Sequence, residues 1–213
     1  PGGNWTNRPS NSLTTILLPW LPQTCAPTKI RHAAVRVVVK RQPQIAWNLV
    51  LTLLPESHSI SSGTHKPIWR PFIPDDWKEG ASRGQYWKDV LAYGQLASEM
   101  AGNDVEKLSA LVERYFRLPN EVRLTLRQRL ISEAVLALEE SARFRLWSVL
   151  TQLTNNHRKF AGHENWNVPD GALEELDVIA NRLGPAAPEV RHKRLFGGVD
   201  VDRGGEGAEG NHP

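Results

Sequence analysis

Proline closes one apolar run after another in this chain. Without a backbone N–H at those points, the chain cannot continue as one long helix or as a central strand. Leu17-Leu18-Pro19 ends the first run, and Leu53-Leu54-Pro55 ends a second that opens at Pro43 and carries Trp47. Between and beyond these stops, apolar residues recur at three- and four-residue spacing, the period of an amphipathic helix. Short helices packed side by side are the expectation, with no catalytic signature between them.

Along the chain, Thr28 suits an N-cap for a helix reaching Arg41. Ile30, Ala33, Ala34, Val37 and Val38 supply its apolar stripe. The β-branched run Val35 to Val39 also fits a strand, but Ala33-Ala34 before it favours helix. Pro43 fits the first turn of a helix ending near Leu54, with Ile45, Leu49, Thr52 and Leu53 inward. Tyr86, Val90, Tyr93, Ala97 and Met100 mark a helix over 84–101, closed by Gly102. Asn103 and Glu106 then have the spacing of a capping box. Periodicity from 120 to 160 is too long for one ordinary helix, so a break is expected near 132–138. Asp170 is placed to cap Ala172 to Leu183, and Gly184 to end it.

One internal echo stands out. Trp47-Asn48-Leu49-Val50 and Trp147-Ser148-Val149-Leu150 lie one hundred residues apart. A repeated helix with the same buried side would produce this, as would chance likeness between two amphipathic helices. The expected architecture is all-α: antiparallel helix pairs stacked as a short irregular α-solenoid over 12–196. One long aromatic-rich loop over 55–83 interrupts it. Residues 1–11 read as loop, and the Gly- and acid-rich stretch 197–213 as disordered.

Composition narrows the chemistry. A single cysteine, Cys25, excludes an intrachain disulfide and any site built from several thiolates, and fits a reducing, cytoplasmic setting. No stretch approaches the ~20 apolar residues that span a bilayer, so no membrane association is expected. No glycine-rich phosphate loop, H-E-x-x-H or G-x-S-x-G motif occurs, and no cofactor or metal is expected. The chain starts at Pro1 and its only methionine is Met100, so it reads as a piece of a longer chain. Net charge is +3, unevenly spread: no Asp or Glu precedes Glu56, while six Lys and Arg do. An N-terminal face that meets something acidic follows from that asymmetry.

Two groups of residues are candidates for a site. The loop from Glu56 to Arg70 brings His58, His65, Lys66, Trp69 and Arg70 together with several hydroxyls, a set suited to binding a ligand or partner. A hydrolase using His58 or His65 beside a serine is an alternative, needing an acid and oxyanion donors that spacing does not reveal. A loop whose hydroxyls bond its own backbone is the plainer account. The second group is Lys29, Arg36 and Lys40, which share one side of a helix and suit a nucleic-acid backbone. His157, Arg158, Lys159 and His163 would join that surface, or simply complement a helix C-terminus.

Three segments carry a resemblance: Pro19-Trp20-Leu21-Pro22-Gln23-Thr24, the stretch from Ala46-Trp47-Asn48-Leu49 to Leu53-Leu54-Pro55, and Thr64-His65-Lys66-Pro67-Ile68-Trp69-Arg70. Together they resemble the C-terminal helical region of very large bacterial multidomain proteins. Some of those carry an N-terminal NTPase or other effector module and are suspected of phage defence. The resemblance covers about 12–196 and implies a non-catalytic helical-repeat scaffold or sensor. Its partner would be a protein or the rest of the parent chain. It transfers no functional residues.

Overall fold

The computed structural model describes residues 9–56, 73, 80–161, 168 and 171–185. Among the described residues every regular element is helical. Helix α1 spans Pro9–Leu17, α2 Thr28–Arg41, α3 Pro43–Thr52, α4 Arg83–Ala101 and α5 Val105–Val112. After a 3-10 turn at Tyr115–Arg117 come α6 Asn120–Leu130, α7 Glu133–Leu136, α8 Glu140–Lys159 and α9 Ala172–Leu183. The all-α expectation holds, and Val35 to Val39 are helical.

The ends of these helices follow local chemistry. Helix α1 starts at Pro9, inside the stretch expected to be loop, and Pro43 opens α3. The break expected near 132–138 is present: Ser132 precedes the short α7, its Oγ donating to the Arg129 carbonyl. Two caps differ from expectation. Thr28 is the first residue of α2, not its cap, and its hydroxyl accepts from the Arg31 guanidinium. Helix α5 is capped by Asp104, whose carboxylate accepts from the Lys107 N–H at 3.1 Å. Asn103 lies one residue too early because the chain turns at Gly102, whose φ of 51° suits glycine. Glu106 pairs with Arg145 of α8 and closes no capping box. Asp170 lies outside the described residues; Gly171, at φ 75°, stands at the start of α9.

Helix α4 is the hub, packing against α2 and α3 on one hand and α5 and α6 on the other. Its inner side carries Val90, Tyr93 and Ala97, as the spacing read from the sequence predicts, and ends on Ala101, with Met100 half-buried beside it. Helix α5 reaches α8, and α8 lies along α9. The α5–α8 contact passes over two intervening α-helices, α6 and α7. The core runs from Leu17, Val50 and Leu54 through Leu108, Leu111 and Leu126 to Leu146, Leu150 and Leu176.

At Gly94 the absence of a side chain sets how closely α4 and α6 approach. A Cβ there would lie 2.8 Å from Val122 Cγ2. Val122 is wholly buried and β-branched, with little rotamer freedom to yield. Alanine gains up to about 1 kcal/mol in helix propensity, while overpacking costs about 1–3 kcal/mol. Gly94→Ala is expected to lower stability by about 1–2 kcal/mol in urea titration.

The two tryptophan segments bury some matching positions. Ala46, Val50 and Leu54, and one hundred residues later Leu146, Leu150 and Thr154, are all buried. Ala46 and Val50 lie within α3 and Leu54 just beyond its end, whereas Leu146, Leu150 and Thr154 all lie within α8. The indoles differ: Trp147 is buried, whereas Trp47 is half-buried with the Lys107 ammonium 5.7 Å from its ring centre.

Candidate functional site

Helix α2 carries chemistry on both of its sides, and the division is not the one its apolar pattern suggests. The inner side is Arg31, Val35 and, half-buried, Val38. Ile30, Ala33, Ala34 and Val37, expected to face the core, are exposed; Ile30 keeps 57% of its surface and Val37 49%. The reason lies on α4. Asp89 occupies the inward phase of that helix, between Tyr86 and Tyr93, and is wholly buried. A carboxylate taken from water needs a cation and hydrogen-bond donors. Arg31 Nη2 lies 2.7 Å from Asp89 Oδ2, and His32 Nε2 lies 2.7 Å from Oδ1. Turning α2 to bury Ile30 and Val37 would withdraw Arg31 and expose Val35.

The cluster is tied to the helices around it. Tyr93, one turn along α4 from Asp89, meets the His32 ring edge-on with centroids 5.3 Å apart. The Tyr93 hydroxyl donates at 3.3 Å to the Leu17 carbonyl at the end of α1. Three helices therefore meet at one buried polar knot. Arg31 Nη2 also reaches Thr28 Oγ1 at 3.2 Å, while Arg31 Nε and Nη1 have no hydrogen-bond partner among the described residues. Burial pushes the Tyr93 phenol upward, with the Asp89 charge adding to the effect and the Arg31 charge opposing it. Burial likewise raises Tyr115, against the smaller opposing influence of Arg127 and Arg123.

These tyrosines make stability fall in alkali. In the unfolded chain they ionise near pH 10. In the folded protein they hold their protons higher, so the native state binds more protons above that pH. The contribution is whole below pH 10 and is lost as pH rises toward the folded values. Each buried phenol is expected to lower stability over that window, by at most about 1.4 kcal/mol per pH unit. Denaturant titrations at a series of pH values, read with tyrosinate absorbance, would show this. Absorbance that appears at pH 10 with the fold intact would contradict it.

On the outer side of α2, Lys29, Arg36 and Lys40 are all exposed. At 3.6 residues per turn they fall within roughly 40° of arc. The exposed apolar residues lie beside them, in the order Ala33, Val37, Ile30, Ala34 around the helix. Arg41 lies within that apolar arc at the helix end. None of these four cations has an ion-pair partner among the described residues, in contrast to Arg114, Arg127, Arg145 and Arg158. The outer face is a cationic ridge adjoining an apolar strip.

The other sequence candidates fare differently. His58, His65, Lys66, Trp69 and Arg70 lie outside the described residues, as does His163. Glu56, where that loop begins, pairs with Arg114. Arg158 pairs with Asp177 of α9, whose hydrogen bond raises its pKa further. His157 lies edge-on to Phe116 at 4.3 Å between centroids. Both therefore join α8 to its neighbours. Among the described residues no group of three or more His, Cys, Asp or Glu could hold a metal ion, and no helix is long and apolar enough to cross a membrane. Comparison with protein-family models, with curated proteins and with solved structures found no match.

The Arg31–His32–Asp89 knot escaped the pattern reading. Its signal is present all the same: Asp89 lies on the apolar phase of an amphipathic helix, and an acid there requires a buried cation from elsewhere. Spacing alone does not say which of the chain's 26 Lys and Arg answers it.

Proposed function

We propose that this chain is a non-catalytic helical recognition region of a larger intracellular bacterial protein, and that it docks a protein through the outer face of α2. One observation carries the reading: α2 exposes its main apolar stripe, bordered on one side by Lys29, Arg36 and Lys40, which have no carboxylate partner among the described residues. Exposed aliphatic surface with a polar margin is the usual composition of a contact surface. The resemblance noted for 12–196, the stacked-solenoid architecture and a cytoplasmic setting belong to this proposal.

A photo-activated cross-linking residue at Val37 tests it. Irradiation in cells of origin should give a saturable protein adduct, absent when the same residue replaces exposed Gln128 of α6. Equal labelling at both positions would remove α2 as the docking face.

The ridge itself favours a second reading, nucleic-acid binding through Lys29, Arg36 and Lys40. In that case retention of labelled DNA or RNA should weaken steeply with salt, and Ile30→Ser with Val37→Ser should leave it unaltered. A flat salt response would exclude this.

A further inference from the structure

Resting on the docking face just described, we infer the chemistry of its occupant: an amphipathic helix of a protein partner, bearing carboxylates along one edge. The apolar strip follows the i, i+4, i+7 rule, with Ile30, Ala34 and Val37 on one line and Ala33 beside them. Two of its four members are alanine, Ala33 and Ala34, which lie along the axis between Ile30 and Val37, so a second helix backbone can approach closely at that level. From Lys29 to Lys40 the face runs about 16 Å, at 1.5 Å rise per residue. A partner helix of three turns or more covers it.

Charge selects the partner's edge. Lys29, Arg36 and Lys40 are spaced by seven and then four residues and form only one border of the strip. No acidic residue precedes Glu56 to answer them locally. Carboxylates at matching seven- and four-residue spacing on one side of an incoming helix meet all three. A Lys- or Arg-edged helix would put like charges together.

The strip's side chains argue against a bilayer surface. Interfacial helices reach the acyl boundary with Trp, Phe or Leu, and this strip has none of these. The face is also small. Four short side chains and a ridge fall well below the ~800 Å² per partner of a standard stable interface. Weak, exchanging contact is therefore expected, with salt-sensitive association.

The test uses the full 213-residue chain and a displayed library of amphipathic helices of roughly 20 residues, long enough to hold helix. Their apolar edge is constant and their flank is Glu, Gln or Lys. Glu-flanked helices should be enriched about tenfold over Gln-flanked ones, and added salt should erase the difference. Charge reversal at K29E/R36E/K40E should invert the preference toward Lys-flanked helices. I30S/V37S should abolish all capture with an unchanged circular dichroism spectrum, since both side chains are exposed.

Equal enrichment of Gln and Glu flanks would overturn the acidic partner and leave the docking face standing. No enrichment of any helix would remove the docking face itself. Saturable binding to vesicles of anionic lipid, lost in I30S/V37S and without helix capture, would assign the face to a membrane. Self-association in sedimentation, lost in the same variant, would assign it to a second copy. Either result overturns the inference.

Discussion

Asp89→Ala is expected to destabilise the protein by about 3–5 kcal/mol, the cost of leaving one partner of a buried ion pair uncompensated. Asp89 is the anion that holds Arg31, which is 4% exposed and whose Nε and Nη1 already lack hydrogen-bond partners among the described residues. Removing the carboxylate leaves a guanidinium buried with Thr28 Oγ1 as its remaining polar contact. It also frees His32 from its 2.7 Å partner and loosens the contact with Tyr93. A loss of that size is a large share of the 5–15 kcal/mol typical of folded domains.

The same knot allows a sharper comparison. Buried ion pairs are replaced by apolar residues of similar volume at little cost, because the desolvation penalty disappears with the charges. Arg31→Met combined with Asp89→Leu is expected to regain most of what Asp89→Ala loses. Urea unfolding of the two variants beside the parent measures both. Asp89→Ala within about 0.5 kcal/mol of the parent would mean that the carboxylate is not sequestered.

Trp147→Ala is expected to cost about 3–5 kcal/mol, as for other large aromatic side chains removed from a packed interior. The indole is 6% exposed and rests against Phe144, ring centres 5.2 Å apart. It sits on α8 among Leu146 and Leu150, where that helix packs on α5 and α9. For a chain of this size, each kcal/mol lowers the melting temperature by about 2–4 °C. Trp47→Ala should cost clearly less, about 1–2 kcal/mol, because Trp47 is half-buried and part of its ring surface already meets solvent or the Lys107 ammonium. Equal melting temperatures for the two variants would show that the indoles share one environment. Thermal unfolding followed by circular dichroism distinguishes these outcomes.

Helix identity and approximate limits were legible in residue spacing, because amphipathic period and proline stops are local properties. The inward row of α4 follows Tyr86, Val90, Tyr93, Ala97 and Met100, and the break between α6 and α8 falls where continuous periodicity grew too long. Caps were harder. Asn103 and Asp104 are chemically alike as caps, and the turn at Gly102 decides between them. Of the candidate sites, the ridge Lys29, Arg36 and Lys40 followed from helical period. The loop containing His58 and His65 lies outside the described residues.

The face presented by α2 could not be read from its own residues. Taken alone, Ile30, Ala33, Ala34 and Val37 form the better apolar stripe, and area-based reasoning places them inside. Asp89, 58 residues from Arg31, decides otherwise. A buried carboxylate is costly unless a cation reaches it, and only one rotation of α2 delivers Arg31 and His32 while keeping Val35 covered. The amino-acid order by itself determined that this chain is helical, roughly where its helices stop, and that every charged Lys, Arg, Asp or Glu side chain before Glu56 is a cation. The tertiary structure decided which side of α2 meets solvent, because desolvating a charge outweighs covering a few aliphatic groups and its partner lies on a distant helix.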